Sequence, residues 1–181
     1  MTAPPPPRCV VDTNVATTAN GANAGAPAAC IATCARALAT LMQKGHLFID
    51  DGGRIVGEYR SNLRASGQPG PGDAFLKWAL TYEWGGQRVT RVAITPCDRG
   101  DGEDFSELPS PPAGVRYDPS DRKFLAVAAA HDDRPPIWQA LDSKWWGWRD
   151  ALREVRLSVH FLCEGAIARK HAQKMGTRKR Q

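Results

Sequence analysis

Four acidic side chains stand where they could share one cation: Asp12, Glu58, Asp121 and Asp142. Asp12 follows the apolar run "CVV" and Asp142 follows "PIWQAL", so each closes a short buried strand. In an open parallel sheet such positions face the crevice outside the carboxyl ends of the strands, where ligands bind. Asp121 falls in the first turn of a helix that begins near the same edge. Glu58 lies in the helix that follows a second strand. Carboxylates gathered in one cleft repel one another unless a cation neutralises them. An all-oxygen donor set suits Mg²⁺ or Mn²⁺, ions that keep several waters and bind phosphate. Such ions can activate a water, hold a phosphodiester and stabilise its leaving oxygen. Each acid also has a plainer role open to it. Asp12 can cap a turn, Glu58 can be a solvated helix acid, and Asp142 can simply end a strand. Asp118 and Asp121 can cap a helix against its dipole, which at N-cap spacing is the expectation for Asp118. It is the order and context of the four together that favour a shared site.

The elements that must position these acids alternate between strand and helix. The apolar run at 9–12 predicts a strand buried on both faces. Helical spacing of Ile31, Cys34, Leu38 and Leu41 predicts a helix over 27–44, stopped by Gly45. A strand at 46–49, a turn at 50–53 and a helix over 54–63 follow. Asp73 is the expected N-cap of a helix over 74–84. A third strand is expected at 91–95, and the Gly-, Pro- and acid-rich 96–114 reads as a long surface connection. A helix over 118–130, a strand within 136–142, a helix over 145–155 and a strand at 157–162 complete the series. Strands separated by helices predict an α/β fold with a central parallel sheet covered on both faces.

Length and composition set bounds. The chain has 181 residues, 42% hydrophobic and 24% charged, which suits one domain with a single sizeable core. No stretch is apolar enough for a membrane span. "MTAPPPPR" lacks the pattern of a secretory signal, so a cytoplasmic location is expected. Residues 1–8 read as a disordered Pro-rich lead-in, 9–164 as the domain and 165–181 as a basic tail. Cys9, Cys30, Cys34, Cys97 and Cys163 are expected to be reduced thiols. Cys30 and Cys34, at i,i+4, could share a metal, but no zinc set is completed nearby. The net charge of +5 is concentrated in Arg169, Lys170, Lys174, Arg178, Lys179 and Arg180, which leave the rest of the chain near neutral. That tail could hold a polyanion such as RNA, or could be a solvated, frayed terminus.

The ordered stretches "VVDTNV", "GEYRSNL", "DPSDRKFLAVAAA" and "ALDSKWW" resemble the motifs of PIN-domain ribonucleases, over about residues 10–162. The resemblance implies a three-layer α/β/α Rossmann-like fold and a nuclease site of acids that uses Mg²⁺ or Mn²⁺ on RNA. Asp12, Glu58, Asp121 and Asp142 match the family's acids, Asp121 because "FLAVAAA" begins three residues after it. Leu141 stands where the family often has Thr or Ser. Many relatives are toxins held by an antitoxin protein, others act in RNA processing or decay, and a homodimer fits the analogy. A non-catalytic PIN-like module that binds RNA or protein is the alternative. A metal-dependent phosphatase is a weaker one, because a haloacid-dehalogenase-like enzyme would need an acid at Asn14.

Residues expected to meet substrate are Asn14, which in the family orients the first acid or the substrate, with Arg60, Ser143, Lys144 and Trp146. Aromatic and cationic side chains interleaved beside a metal site can stack bases and hold phosphates. Trp145 and Trp148 are expected to pack between helix and sheet.

Overall fold

A computed structural model of the chain describes residues 4–178. Cys9, Val10 and Val11 have no solvent exposure because β1 (Arg8–Val11) is the middle strand of a five-stranded parallel sheet. The chain continues through α1 (Thr13–Ala19), α2 (Ala28–Lys44), β2 (His46–Asp50), α3 (Arg54–Asn62), α4 (Pro71–Tyr82) and β3 (Val89–Val92). A hairpin of β4 (Pro96–Asp98) and β5 (Glu103–Phe105) leads to α5 (Arg122–Ala130) and β6 (Ile137–Gln139). Then come α6 (Ser143–Glu154), β7 (Val159–Phe161) and α7 (Glu164–Arg178). The sheet order is β3-β2-β1-β6-β7. The chain builds outward from β1 on one side and then from β6 on the other, so the strand order reverses between these two neighbours. That reversal opens a crevice at their carboxyl ends. The result is a three-layer α/β/α Rossmann-like fold, as expected. Val10, Val11, Leu47, Phe48, Ile49 and Ile137 are fully buried, the continuous apolar pattern of strands covered on both faces.

Local chemistry sets where the helices begin. Asp50 closes β2 with no exposure, and its carboxylate accepts the N–H groups of Arg54 (2.8 Å) and Ile55 (2.7 Å). It therefore caps α3 across the turn, and Gly53 takes the left-handed conformation (φ 76°) that the turn needs. The helix carrying Glu58 is thus oriented by the end of the neighbouring strand. Gly72 lets α4 lie against α1, since a Cβ there would collide with the Ala16 carbonyl.

Several expectations need correction. Asp73 is not the N-cap of α4: the helix starts at Pro71, and Asp73 reaches back to the Gly70 N–H at 3.0 Å. Segment 96–114 is more than a surface connection. It contains the β4–β5 hairpin, and Phe105 and Leu108 are buried. Arg122 ties that hairpin to α5 through Asp101 (2.6 and 2.7 Å) and buried Asp104 (3.1 Å). The basic segment expected as a tail is helical from Glu164 to Arg178. It packs on α6, where His171 meets Ser143 and Gly147, and Ile167 is fully buried. Lys179 and Arg180 lie outside the described residues, as do residues 1–3 of the lead-in. The five-thiol expectation fails at two positions. Cys30 of α2 and Cys163, just before α7, are joined in a disulfide with Cα atoms 5.5 Å apart. Cys34 lies against that bridge, its Sγ 3.9 Å from Cys163 Sγ. Among the described residues no helix is long and apolar enough to cross a membrane.

Candidate active site

Asp12 and Asp142 each cap the helix that follows one of the two strands flanking the reversal, Asp12 directly after β1 and Asp142 three residues past Gln139 at the end of β6. Asp12 follows β1 and caps α1, with Oδ1 accepting the Asn14 N–H at 2.7 Å. Asp142 follows β6 and caps α6, with Oδ1 accepting the Lys144 N–H at 3.0 Å. Asn14 links the two ends: its Oδ1 accepts the Leu141 N–H at 2.7 Å. Tyr59, one residue past Glu58, donates its buried hydroxyl to the Val11 carbonyl and so fixes α3 against the end of β1. Asp121 is the residue before the first turn of α5, but its side chain makes no capping bond. Asp118, expected as the N-cap, instead folds its carboxylate onto Ser120 in a turn before the helix.

The charges of Glu58, Asp121 and Asp142 all act on Asp12, but among the described residues no three of the four bring carboxylate oxygens within 4.8 Å of one another; the cluster that close is Cys30, Cys34 and Cys163. Burial pushes the Asp12 carboxyl well above the usual carboxylate range, and the charges of Asp121, Glu58 and Asp142 push it further. The Asn14 N–H works the other way. Asp121 is lifted to about 6, first by burial, with Lys144 opposing and the charges of Asp142 and Asp118 adding. Asp118 is held at about 2 by hydrogen bonds from Lys144 and Ser120.

Two ammonium groups enter this acidic cluster. Lys123 Nζ lies 2.5 Å from Glu58 Oε2. Lys144 Nζ lies 2.8 Å from Asp118 Oδ2, 3.0 Å from Asp121 Oδ2 and 3.5 Å from Asp142 Oδ2. The contact with Asp118 is a hydrogen bond. That with Asp121 is an ion pair off the hydrogen-bond direction, which leaves the buried Oδ2 without a hydrogen-bond donor. Burial works against the charge on Lys144, but the Asp118 hydrogen bond and the charges of Asp121 and Asp142 outweigh it and raise its pKa.

The other expected substrate residues divide. Ser143 is buried at the start of α6, and its carbonyl accepts from His171 Nδ1 at 3.1 Å. Arg60 is exposed on α3. Trp146 packs edge-on against Phe161 in a depression that holds none of the four acids. Trp148 packs against the core and Trp145 as expected, and it also lines a groove of about 960 Å³ together with Tyr117, Asp118, Lys144, His171 and Lys174. A second depression of about 580 Å³ contains Asn14, Asp142, Arg169 and Lys170. Asp12 and Asp121 are buried and line neither one, whereas Asp142, Lys144 and Asp118 do; Glu58 lines neither, but its side chain is as exposed as that of Asp142. The sequence signal for α7 as a wall of both depressions was its basic charge. Its position came from contacts that spacing does not reveal.

A pH dependence follows. Asp121 has its folded pKa raised to about 6, and Asp12 is shifted the same way. The contribution of Asp121 to stability is therefore present below about pH 4 and is lost as pH rises through about 6, and that of Asp12 has the same sign. The ionised forms created over that range are the ones a divalent cation binds. In thermal melts, Mn²⁺ relative to EDTA should raise the midpoint little near pH 5 and several degrees more near pH 7.5. An equal gain at both values would count against a carboxylate site.

No protein-family model, curated protein or solved structure matches the chain.

Proposed function

We propose that this chain is a metal-dependent endoribonuclease acting at the crevice beyond β1 and β6. The observation that carries the reading is the placement of Asp12 and Asp142 as caps beyond the two strands where the order reverses, with the charges of Asp121, Glu58 and Asp142 acting on the buried Asp12. The donor types suit Mg²⁺ or Mn²⁺: the acids offer hard oxygens, and Asp121 Oδ2 is buried with the Lys144 ammonium 3.0 Å away, though an ion held by three of them would have to draw their oxygens together. Asp12, Asp121 and Asp142 would hold the ion, with Glu58 completing the acidic set. When bound, such an ion lowers the pKa of its water and neutralises charge on the phosphodiester. Asp12 needs little reorientation, because Asn14 and the end of β1 already hold it.

The walls suit an RNA strand. Arg169, Lys170 and Lys174 supply positive charge beside Asp142 and Lys144, and Tyr117 and Trp148 form an edge-on aromatic pair at the groove. The PIN resemblance supports the same chemistry and brings an inhibitory antitoxin and a homodimer as partners to look for. A second reading, a non-catalytic RNA- or protein-binding module, is favoured by the ion pairs of Lys123 and Lys144 with the acids, which neutralise part of the cluster without a metal. The test is incubation of purified protein with single-stranded and structured RNAs in Mg²⁺, Mn²⁺ or EDTA. Internal cleavage that requires metal is expected. RNA retention without cleavage would support the binding module, and turnover of a small phosphate ester alone would support a phosphatase.

A further inference from the structure

The position of Lys144 has a consequence for how the site takes up its cation. Its ammonium lies within 3.5 Å of oxygens from three acids, Asp118, Asp121 and Asp142. A divalent ion binds such oxygens at about 2.0–2.6 Å. A divalent ion held by Asp121 and Asp142 would therefore take the lone pairs that the ammonium now faces. Both cannot hold these oxygens at once.

The two lysines of the cluster differ in their freedom. The Lys123 side chain is 10% exposed, and its Nζ donates to the Ser120 carbonyl as well as pairing with Glu58. It also lies 4.8 Å from the centre of the Phe124 ring. The Lys144 side chain is 37% exposed, while its backbone is pinned by Asp142 at the start of α6. Only its side chain need turn for the ammonium to leave the acids. The way out is the groove it already lines with Tyr117, Trp148, His171 and Lys174, where a strand phosphate would meet it.

Resting on the metal-site reading above, we propose that Lys144 is a displaceable internal counterion. It holds the cation position of the acidic cluster until a divalent ion enters, then turns into the groove to pair with a phosphate of the substrate. The two cations compete for Asp121 and Asp142, so removing the ammonium strengthens metal binding. A polyanion in the groove draws Lys144 away from the acids, so it also tightens the metal, and by linkage the metal tightens the polyanion.

Mn²⁺ binding, read from the loss of the free-ion electron paramagnetic resonance signal, tests this on the full chain and on Lys144→Met. The variant should bind Mn²⁺ about tenfold more tightly without RNA, on the order of 1.4 kcal/mol. An unchanged or weaker affinity in folded Lys144→Met overturns the counterion and leaves the nuclease reading standing. No binding by either chain overturns both. A second measurement needs no variant. In the full chain, the side-chain NH₃⁺ resonance of Lys144 should be protected from exchange in EDTA and lost on saturation with Mg²⁺. Its persistence at saturating Mg²⁺ would also overturn the proposal.

Discussion

Asp12→Asn, Asp121→Asn double substitution should abolish metal-dependent RNA cleavage and at the same time raise the melting temperature in EDTA at neutral pH. The two effects have one cause. Asp121 has its pKa raised from 3.8 to about 6, chiefly by burial, and Asp12 is displaced in the same direction. At neutral pH Asp121 is held ionised in a place that disfavours its charge, and burial opposes ionisation of Asp12 in the same way. For Asp121 alone that costs up to about 3 kcal/mol. Asn removes the charge and keeps the shape. At position 12 it also keeps the helix cap, because the Asn side-chain oxygen can still accept the Asn14 N–H. The Lys144 ammonium retains Asp118 and Asp142. Activity should fall by at least ~100-fold, as expected when charge stabilisation is removed from the reacting centre. Calorimetry with Mn²⁺ should show binding greatly weakened. Undiminished cleavage by the folded double variant would sink the nuclease assignment. A lowered melting temperature would show that the acids serve the fold, as caps and ion-pair partners.

That pairing of strain with site also explains what was legible in the sequence. "CVVD" announces a buried strand that ends on an acid, and a strand buried on both faces in an α/β series belongs to a parallel sheet. Asp12 and Asp142 could be placed at its carboxyl edge for that reason. The apolar-and-Ala run after Asp121 gave the direction of α5. What spacing could not show was which groups meet across the fold. Asn14 bonds the backbone of Leu141, and Asp50 caps a helix beyond its own turn. Lys144, two residues after Asp142, reads in sequence as a phosphate-binding cation. Only the folded chain brings it onto Asp118 and Asp121. The tryptophans show a similar limit: Trp145 and Trp148 meet on one side of α6, while Trp146 turns to Phe161. Their environments were set by β7, Tyr117 and α7, none of which the local pattern encodes.

Reduction should destabilise the chain by more than its buried position suggests. The Cys30–Cys163 bridge closes a loop of 133 residues, tying α2 to the chain as it leaves β7 and enters α7. Long loops are those in which a cross-link restricts the unfolded chain most, and native bridges are worth about 2–4 kcal/mol. For a domain of this length that corresponds to a melting shift on the order of 10 °C. The same loss should appear in Cys30→Ser. It should not appear in Cys34→Ser beyond the small effect of its packing, since Cys34 is a buried free thiol. Burial lifts that thiol to about 12 and keeps it protonated near neutrality, so it is a poor nucleophile towards the bridge beside it. The consequence reaches the site through α7. The bridge lies directly before this helix, in which Ile167 is fully buried, and from it Lys170 donates to the Leu141 carbonyl at 3.1 Å and His171 to the Ser143 carbonyl. These contacts hold both sides of Asp142. A reduced chain should therefore lose RNA affinity and show faster amide exchange at Leu141 and Ser143, at temperatures where the sheet remains folded. Equal melting temperatures with and without reductant, with a mass increase showing both sulfurs free after alkylation of the untreated chain, would establish that the bridge is not formed.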